Sequence, residues 1–477
     1  MIKKRKREKQ RGNPNLKSLF TFVFAFDARP TDYSRKDSDL AMSIFKGLVL
    51  LLSSMVLILA IYLYSPRAQG VEESHIVQAN VALNRLAYLI AYFVHSLTGA
   101  STLSVFRAQM EMLYTPVLTP SDTLQVDTIH IEGIPVKIYT PASEDSVSNS
   151  NFKPCIVYFH GGGWTLFSFD SYDTVTRELS KKTGVTVISV GYRLAPEHPY
   201  PIPFDDCLKV TRHILHHGEQ YQVDPHRVAV AGDGTGGNLA ASVALRLSEE
   251  DPEFTPALRL QILIQPVLQA LTFNTPSYRD NAYYSLVDRV QMIRFWCNYM
   301  GVEPDSKILS SMERGRHVSP TVRRVLYFLY MADAESVHAA SSGENPKASS
   351  SPSASQKFGT NPDLEELGYD PEVSQAGTGI ETRIQDAYFA PIMSENVARA
   401  PPAIVLTGEN DIVRDDGLVY SRKLTEAGVN VTQRTIPGWG QGHIAPLMPP
   451  SYFASWFTFS GSSLAWEYVY SLIEENM

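Results

Sequence analysis

Cysteine is scarce in this sequence, which holds three thiols, Cys155, Cys207 and Cys297, among 477 residues. Three thiols form at most one bridge and show no metal-binding spacing, so the sequence excludes a disulfide-rich scaffold and a cysteine-based zinc site. Cys155 begins an apolar run and Cys207 lies in a helical apolar pattern. Both are therefore predicted to be small buried side chains.

Positive charge is also scarce outside the first eleven residues. That segment holds seven Lys/Arg and one Glu, which leaves 35 basic and 49 acidic residues in the rest of a chain of net charge −8. An acidic folded part argues against nucleic acid as a partner. The basic segment precedes an apolar run, so a role flanking a membrane is favoured over nuclear import.

Charge is absent from the 18 residues Gly47–Tyr64. At helical rise they span about 27 Å, close to the hydrocarbon thickness of a bilayer. The run lies too far from the N-terminus for a typical cleaved signal peptide, and a membrane-spanning helix is favoured over a buried core helix. Four basic residues lie within about twenty residues before it and only Arg67 soon after, which predicts a single-pass type II protein with a cytosolic N-terminus.

This orientation places the remaining chain in a lumen or outside the cell. The segment Arg5-Lys6-Arg7 is similar to arginine-based retention signals, and Asn430-Val431-Thr432 is a glycosylation sequon. The expected location is the endoplasmic reticulum membrane, with the folded part in the lumen. The apolar stretch Val81–His95 either lies in the membrane surface or covers the core, and the second reading is the more frequent one.

Composition and periodicity divide the chain into four parts, with a cap and an insertion in the last. They are a basic segment 1–46, a membrane helix 47–64, a linker with membrane-proximal helices 65–125, and a domain 126–477 with a cap at about 271–399 that includes a disordered insertion 335–379. The insertion is rich in Ser, Gly, Pro and acidic residues and lacks apolar periodicity, so it is expected to have no role in the core.

Strands and helices alternate from Val126 onward, which predicts an α/β fold with a mainly parallel sheet covered on both faces. The alternation in Asp127–Tyr139 around Gly133 predicts a hairpin. The further predicted strands are Cys155–Phe159, Val185–Val190, Arg227–Ala231, Leu260–Val267, Ala403–Leu406 and Val429–Ile436. The predicted helices are Asp170–Lys182, Phe204–His217, Asn238–Leu247, Asp415–Ala427 and Phe453–Ile473.

The segment Ala231–Ala240, AGDGTGGNLA, has the pattern of a nucleophile elbow without a nucleophile. An apolar run precedes it and a helical run follows it, and such a turn lets strand and helix pass closely when its flanking residues are small. Gly232, Gly236 and Gly237 occupy these small positions. Gly234 stands at the position of the nucleophile, so the turn presents no side-chain oxygen.

Three further segments complete a catalytic pattern. The run HGGGW at 160–164 follows a predicted strand, and the N–H groups of Gly161, Gly162 and Gly163, with that of Thr235, are the predicted oxyanion hole. Asp411 follows the Ala403–Leu406 strand as the acid. His443 follows the last strand as the base, which gives the chain order elbow, acid, histidine that α/β-hydrolases have.

These motifs resemble the hormone-sensitive lipase family of α/β-hydrolases, particularly its arylacetamide deacetylase branch. The quoted matches are HGGGW, YRLAPEHPYP at 192–201, DPHRVAVAGDGTGGNLA at 224–240 and DIVRDDG at 411–417. The resemblance implies an α/β-hydrolase fold and an ester- or amide-cleaving lineage that acts on lipophilic acyl compounds. The chain departs from the family at Gly234, where the family has serine, and around His443, where PGWGQGHIAPL is looser than the usual pattern.

Other polar residues near these motifs are weaker candidates for chemistry. Thr235 and Asp233 are disfavoured as replacement nucleophiles, because the first normally turns its side chain towards the helix and the second is normally structural. His160 is expected to orient the loop. A histidine cluster on one helix lacks a fourth ligand, so neither a metal nor a cofactor is predicted. The predicted lining of the acyl pocket is Trp164, Leu166 and Phe167.

Three hypotheses for function follow from these residues. The first is a membrane-anchored hydrolase whose catalysis is impaired because Gly234 replaces the serine. The second is a non-catalytic protein that binds a lipophilic ester or amide without cleaving it. The third is an active ester hydrolase with an unidentified nucleophile. Protein partners are not predicted by any motif.

Overall fold

The computed structural model describes residues 32–64, 74–115, 124–142, 152–250, 256–282, 286–326, 368–375, 379–440 and 461–477. The chain divides into two compact units, Met1–Tyr62 and Leu63–Met477. The first unit contains most of helix α1 (Asp32–Leu63). Within it, Met42–Leu63 has a mean hydropathy of 2.5, and none of its most apolar stretch is buried. The apolar run found in the sequence is therefore a helix long enough to cross a membrane.

The second unit is built on a sheet with the strand order β1-β2-β4-β3-β5-β6-β7-β8 among the described residues. The strands are β1 (Leu124–Ile131), β2 (Ile134–Pro141), β3 (Lys153–Phe159), β4 (Thr186–Val190), β5 (Val223–Asp233), β6 (Leu260–Ile264), β7 (Ala403–Gly408) and β8 (Val431–Ile436). The strands from β4 to β8 pair in parallel, whereas β1 and β2 pair antiparallel with each other and β2 pairs antiparallel with β4. The predicted mainly parallel sheet is confirmed.

The hairpin of β1 and β2 forms where it is predicted. Its two-residue turn is Glu132-Gly133, and both residues have positive φ values, 52° and 79°. Two consecutive positive φ values are the geometry of a type I′ turn, whose twist matches that of the flanking strands. Asp127 pairs with Ile138 in this register.

Helices flank the sheet and form a cap. The larger helices are α2 (Ser74–Thr98), α3 (Thr102–Tyr114), α4 (Asp173–Thr183), α5 (Ile202–His217), α6 (Thr235–Ser248), α8 (Arg289–Met300), α9 (Ser306–Glu313), α13 (Arg414–Glu426) and α14 (Gly461–Asn476). The short ones are α7 (Pro276–Asp280), α10 (Pro320–Leu326), α11 (Pro371–Ser374) and α12 (Ile380–Ile384).

Both faces of the sheet are buried, as the apolar strands predict. Along β3, Val157 and Phe159 point into one cluster of buried side chains, which also contains Leu239 of α6. Tyr158, between them, points into the other cluster, which contains Trp466 of α14. This alternation follows from the two-residue period of a strand. Each face of the sheet therefore has its own hydrophobic core.

Some element boundaries differ from the sequence-based prediction for local reasons. β6 ends at Ile264, three residues earlier than predicted, because Gln265 has a φ of 46°, which a strand does not accommodate. The helix predicted over Phe204–His217 ends at His217 as predicted, but Gly218 is right-handed, and the left-handed residue lies after the following 3-10 turn, at Gln222. The start of the predicted helix Phe453–Ile473 lies outside the described residues.

The predicted insertion 335–379 is described only in part. Its described portion includes the one-turn helix α11, and Val373 in that helix is 1% exposed within the main core. The expectation of no core role is thus wrong for this end of the segment. Val373 lies between the polar residues Glu372 and Ser374, so the sequence shows no apolar periodicity there that would predict a core position. Residues 335–367 and 376–378 of the predicted insertion lie outside the described residues.

Candidate active site

The elbow has the backbone of a strand-turn-helix junction. β5 ends at Asp233, α6 begins at Thr235, and Gly234 between them has φ 54° and ψ −115°. The Gly234 N–H donates to the Ile264 carbonyl at 2.9 Å, and its carbonyl accepts from the Val267 N–H at 3.0 Å. A positive φ is strained for any residue with a Cβ, and this is the sharp turn on which α/β-hydrolases place their nucleophile.

Gly234 differs from its flanking glycines in the space around it. A Cβ on Gly232 would lie 2.7 Å from the Phe159 carbonyl oxygen, and one on Gly236 would lie 2.7 Å from the His160 carbonyl oxygen and still closer to that of Phe159. A Cβ on Gly234 would meet no atom within 4 Å. Glycine is therefore required by packing at the two flanking positions, whereas at position 234 there is room for a side chain.

Asp233 fastens the elbow to the glycine loop that follows β3. Its two carboxylate oxygens accept hydrogen bonds from Tyr158 Oη at 2.8 Å, Tyr172 Oη at 2.7 Å and the Gly161 N–H at 3.1 Å. Burial raises the pKa of Asp233 to about 6, while these three donors pull it down. These contacts agree with the structural role that the sequence predicts for Asp233.

The glycine loop donates its amides differently from the prediction. The Gly161 N–H is bonded to Asp233, so it does not point into an oxyanion hole. The Gly163 N–H donates to Thr235 Oγ1 at 3.0 Å, and the Trp164 N–H donates to the same oxygen at 3.3 Å. The expectation that the Thr235 side chain turns towards the helix is therefore wrong. Within the part of the chain that the structure describes, Gly162 is the loop glycine whose amide has no acceptor.

His160 is buried behind this loop. Its Nδ1 lies 2.8 Å from the Gly161 carbonyl oxygen, and its ring stacks on Tyr192 with centroids 4.4 Å apart. Burial lowers the pKa of His160 to about 4, so the ring is neutral at physiological pH. A neutral imidazole held to its own loop fits the expected orienting role and not that of a base.

Two of the three residues predicted to line an acyl pocket line a cavity in the structure, and the third does not. Leu166 and Phe167 do line the cavity described below. Trp164 does not line it, because its fully buried ring stacks on Tyr299 at 4.2 Å and contacts Trp296. The adjacent positions diverge because Trp164 has a φ of 54°, which turns its side chain into the core.

A cavity of about 120 Å³ lies directly over Gly234. Its floor is formed by the elbow and the glycine loop, and its other walls come from α2, α3, α8 and the segments after β6 and before α8. The lining residues from outside the predicted motifs are Asn84, Met110, Tyr114, Tyr172, Gln265, Val267, Leu286, Val287, Gln291, Met292 and Phe295. The lining is mostly apolar, which suits a lipophilic ligand.

The walls of this cavity were not predicted from the sequence as site residues. Phe295 lies on α8, and a Cβ on Gly163 would overlap its ring, so the cap packs directly on the glycine loop. Asn84 lies on α2, whose inner face is buried at Ala87 and Ala91 while Phe93 is 61% exposed. The reading of Val81–His95 as a core cover therefore holds for one face of the helix. The amphipathic pattern of α2 was the one signal in the sequence that pointed to the cavity.

Asp411 lies one loop beyond β7 and is fully buried. The Val413 N–H donates to its Oδ1 at 3.1 Å, and its Oδ2 has no hydrogen-bond partner among the described residues. Burial, with a smaller contribution from the nearby Asp416, raises the pKa of Asp411 to about 7. His443, its predicted partner, lies outside the described residues, so the pair stays a prediction.

The remaining polar candidates lie away from the cavity. Cys155, Cys207 and Cys297 are free and buried, as the sequence predicts for the first two. His213 contacts Glu132 at 3.1 Å and Tyr221 at 3.2 Å. These contacts give His213 partners within the protein.

The fold and the elbow together define the class of protein. A family profile described as alpha/beta hydrolase fold matches residues 156–335 and 344–444, which is more than half of the chain. The strands β4 to β8, the end of β3, the loop after β3 and the elbow after β5 are all within the matched residues. The class is that of the α/β-hydrolases.

Comparison with characterised proteins narrows this class. Arylacetamide deacetylase of Mus musculus is 30% identical over 394 residues, covering 81% of this chain and 91% of that protein. Arylacetamide deacetylase of Bos taurus is 29% identical over 88% of this chain and 97% of its own length. Neutral cholesterol ester hydrolase 1 of Rattus norvegicus is 29% identical over 80% and 89%. This chain belongs to the hormone-sensitive lipase family of α/β-hydrolases, in the arylacetamide deacetylase-like branch.

Solved structures share the fold. A thermostable esterase from Pseudomonas putida matches with a TM-score of 0.55 and 24% identity, covering 86% of this chain and 99% of that one. A thermophilic carboxylesterase from a metagenomic library matches with a TM-score of 0.54 and 22% identity, covering 80% and 99%. At this identity the likeness concerns the fold alone.

Proposed function

We propose that this protein is a catalytically impaired, membrane-anchored member of its family that binds a lipophilic ester or amide in the cavity over Gly234. The observation that carries the proposal is the elbow itself. It keeps the backbone of a nucleophile turn and the empty space for a side chain, yet it presents no oxygen. Without that oxygen no acyl-enzyme forms, and loss of the serine costs about 10⁶ in turnover in subtilisin.

No described side chain in the cavity supports the hypothesis of a different nucleophile. The Thr235 hydroxyl already accepts two backbone hydrogen bonds, and the Asp233 carboxylate accepts three. Tyr172 donates to Asp233, and burial together with that carboxylate raises the pKa of Tyr172 well above its ordinary value. Each of these groups is engaged in hydrogen bonds within the protein and is therefore not available as an activated nucleophile.

The ligand class follows from the cavity and from the relatives. The names of the relatives describe proteins that act on arylacetamides and on cholesterol esters. The walls of the cavity over Gly234 are mostly apolar, and the elbow beneath them presents no nucleophile. Such a cavity favours binding of a lipophilic ester or amide that stays intact, which also supports the hypothesis of a non-catalytic binding protein.

The proposal predicts binding without turnover. The full chain in detergent micelles should not be labelled by a serine-directed fluorophosphonate and should release no measurable nitrophenol from a p-nitrophenyl ester of a short fatty acid. The same ester should raise the melting temperature, because a ligand that binds the folded state alone stabilises it. Phe295→Ala, which removes a cavity wall, serves as the control and should reduce this shift. Strong labelling of the native protein would contradict the proposal.

The membrane topology is part of the same proposal. Met42–Leu63 is long and apolar enough to span a bilayer, and the basic residues lie before it. We therefore infer a type II orientation with the hydrolase-like domain in the lumen of the endoplasmic reticulum. Asn430, in the sequon, is exposed at the start of β8, where a glycan would not disturb the core.

Expression of the full chain in mammalian cells tests this orientation. We expect the protein to carry a glycan that endoglycosidase H removes, because high-mannose glycans persist in the endoplasmic reticulum. Asn430→Gln should abolish the mobility shift, whereas Asn410→Gln, outside any sequon, should leave it unchanged. Absence of a glycan together with protease sensitivity of the domain in intact microsomes would place the domain in the cytosol.

A further inference from the structure

The Thr235 side chain lies against the amides that would form an oxyanion hole. Thr235 is the first residue of α6, is 3% exposed and lines the cavity. Its Oγ1 accepts from the Gly163 N–H at 3.0 Å and from the Trp164 N–H at 3.3 Å. An oxygen atom of the protein itself is therefore placed where amides of the glycine loop converge.

This contact competes with the chemistry of the hole. Catalytic donors have to lie about 2.7–3.1 Å from the position of the developing oxyanion, and removal of one donor costs about 10²–10³ in turnover. The Gly163 N–H is already donating at such a distance to Thr235. A hydroxyl oxygen that accepts two hydrogen bonds has used both lone pairs and keeps one proton to donate. That proton can be donated to a ligand oxygen, but the Gly163 and Trp164 amides stay occupied and are not available to a developing oxyanion.

We propose that Thr235 closes the oxyanion hole from within, so that the chain has two separate obstacles to acyl transfer, at position 234 and at position 235. This inference rests on the proposed function, which concerns the first obstacle alone. Thr235 acts as a positioning residue, because it holds the loop amides and does not react. It also affects the ligand preference of the site: with the Gly163 and Trp164 amides occupied, a neutral ester or amide is bound in preference to a tetrahedral anion, which needs more donors.

Variants at position 235 separate the hydroxyl from the rest of the side chain. Thr235→Ala removes the oxygen and frees the amides, whereas Thr235→Ser keeps an oxygen on the same Cβ and is the matched control. Both are made in the full chain on two backgrounds, native and Gly234→Ser. Position 234 has no atom within 4 Å of a new Cβ, so this background is compatible with the packing.

On the Gly234→Ser background, the readout is the rate of fluorophosphonate labelling and of p-nitrophenyl ester hydrolysis. We expect Gly234→Ser alone to be slow and Gly234→Ser/Thr235→Ala to be at least about 100-fold faster, since one donor is recovered. Gly234→Ser/Thr235→Ser should stay near the slow rate. Equal rates for the first two variants, both clearly labelled, would overturn the inference and leave the proposed function intact. Labelling of the native chain would overturn the proposed function and not the inference.

A binding measurement decides the question even where no variant is labelled, because it needs neither a serine nor a histidine. The probe is phenylphosphonate, a tetrahedral anion, titrated against native, Thr235→Ala and Thr235→Ser chains whose circular dichroism spectra agree. We expect Thr235→Ala to bind it at least about tenfold more tightly than the other two, because freed amides hydrogen-bond anions strongly. Equal affinities in all three chains, or equal gains for Ala and Ser, would overturn the inference.

Discussion

Asp411→Asn is expected to stabilise the protein by roughly 3–4 kcal/mol at pH 8 and by only about 1–2 kcal/mol at pH 5. Asp411 is fully buried, and its Oδ2 has no partner among the described residues. Its pKa is raised from 3.8 to about 7 by burial. Asparagine has nearly the same shape as the protonated acid and carries no charge, and its Oδ1 can still accept the Val413 N–H.

The direction of the pH dependence follows from proton binding. Between pH 4 and pH 7 the folded protein keeps the Asp411 proton while the unfolded chain has lost it, so stability falls as the pH rises through this window. Above pH 7 the folded state carries the whole penalty of a buried charge. The asparagine variant carries none, and its gain therefore grows between pH 4 and pH 7 and is larger at pH 8 than at pH 5. Thermal unfolding of native and variant chains at both values measures it.

Asp233→Asn is the matched control, because this second buried carboxylate is fully hydrogen-bonded. Its oxygens accept from two tyrosine hydroxyls and one amide, and an asparagine nitrogen cannot accept. At pH 8 the loss of these acceptors, about 1–3 kcal/mol, opposes the relief of a buried charge whose pKa is raised to about 6, so this variant should gain less stability than Asp411→Asn. A loss of stability in Asp411→Asn at pH 8 would show that the Asp411 charge is paired, which would support an intact acid-histidine pair with His443.

Gly236→Ala is expected to destabilise the protein by more than about 3 kcal/mol, enough to reduce the soluble yield sharply. A Cβ at this position would overlap the Phe159 carbonyl oxygen and lie 2.7 Å from that of His160. Both oxygens belong to the backbone after β3, which cannot move without disturbing the sheet. The strand and the first turn of α6 would have to separate.

Gly234→Ala is the paired control, two residues away on the same turn. Its Cβ would meet no atom within 4 Å, so its effect comes from the φ of 54° alone. That backbone strain costs about 1–2 kcal/mol, and the variant should fold. Yield and melting temperature of the two full-length variants give the comparison. Similar losses for both would mean that backbone conformation, and not close packing, decides which glycines are required.

Much of the fold could be predicted because the local patterns are strong. The turn at Gly133, the apolar run of β3 and the glycine-flanked elbow are each encoded within about ten residues. Periodicity and turn chemistry suffice for such elements. The boundaries that differed, at Gln265 and Gln222, depend on positive φ values in residues other than glycine, which a sequence pattern does not reveal.

The sequence predicted which residues form the candidate site, but it did not predict the hydrogen bonds and ring contacts that those residues make. The sequence placed Gly234, Thr235 and Asp411 near one another through their order along parallel strands. The direction of the Thr235 hydroxyl, the Gly161 amide and the Trp164 ring depends on neighbours 71 to 135 residues away in the chain, such as Tyr299 and Asp233. Contacts of that range arise from tertiary packing, which no local pattern contains.

The bond network of Asp233 bears on how sequence motifs in such proteins should be interpreted. Tyr158, Tyr172 and Gly161 all donate hydrogen bonds to one buried carboxylate. Removing any of them weakens the folded chain whether or not a reaction takes place. Selection for folding can therefore preserve the residues around the elbow, even where glycine stands at the nucleophile position. A complete set of flanking motif residues then indicates the α/β-hydrolase fold. Hydrolytic activity has to be judged from the groups that would react.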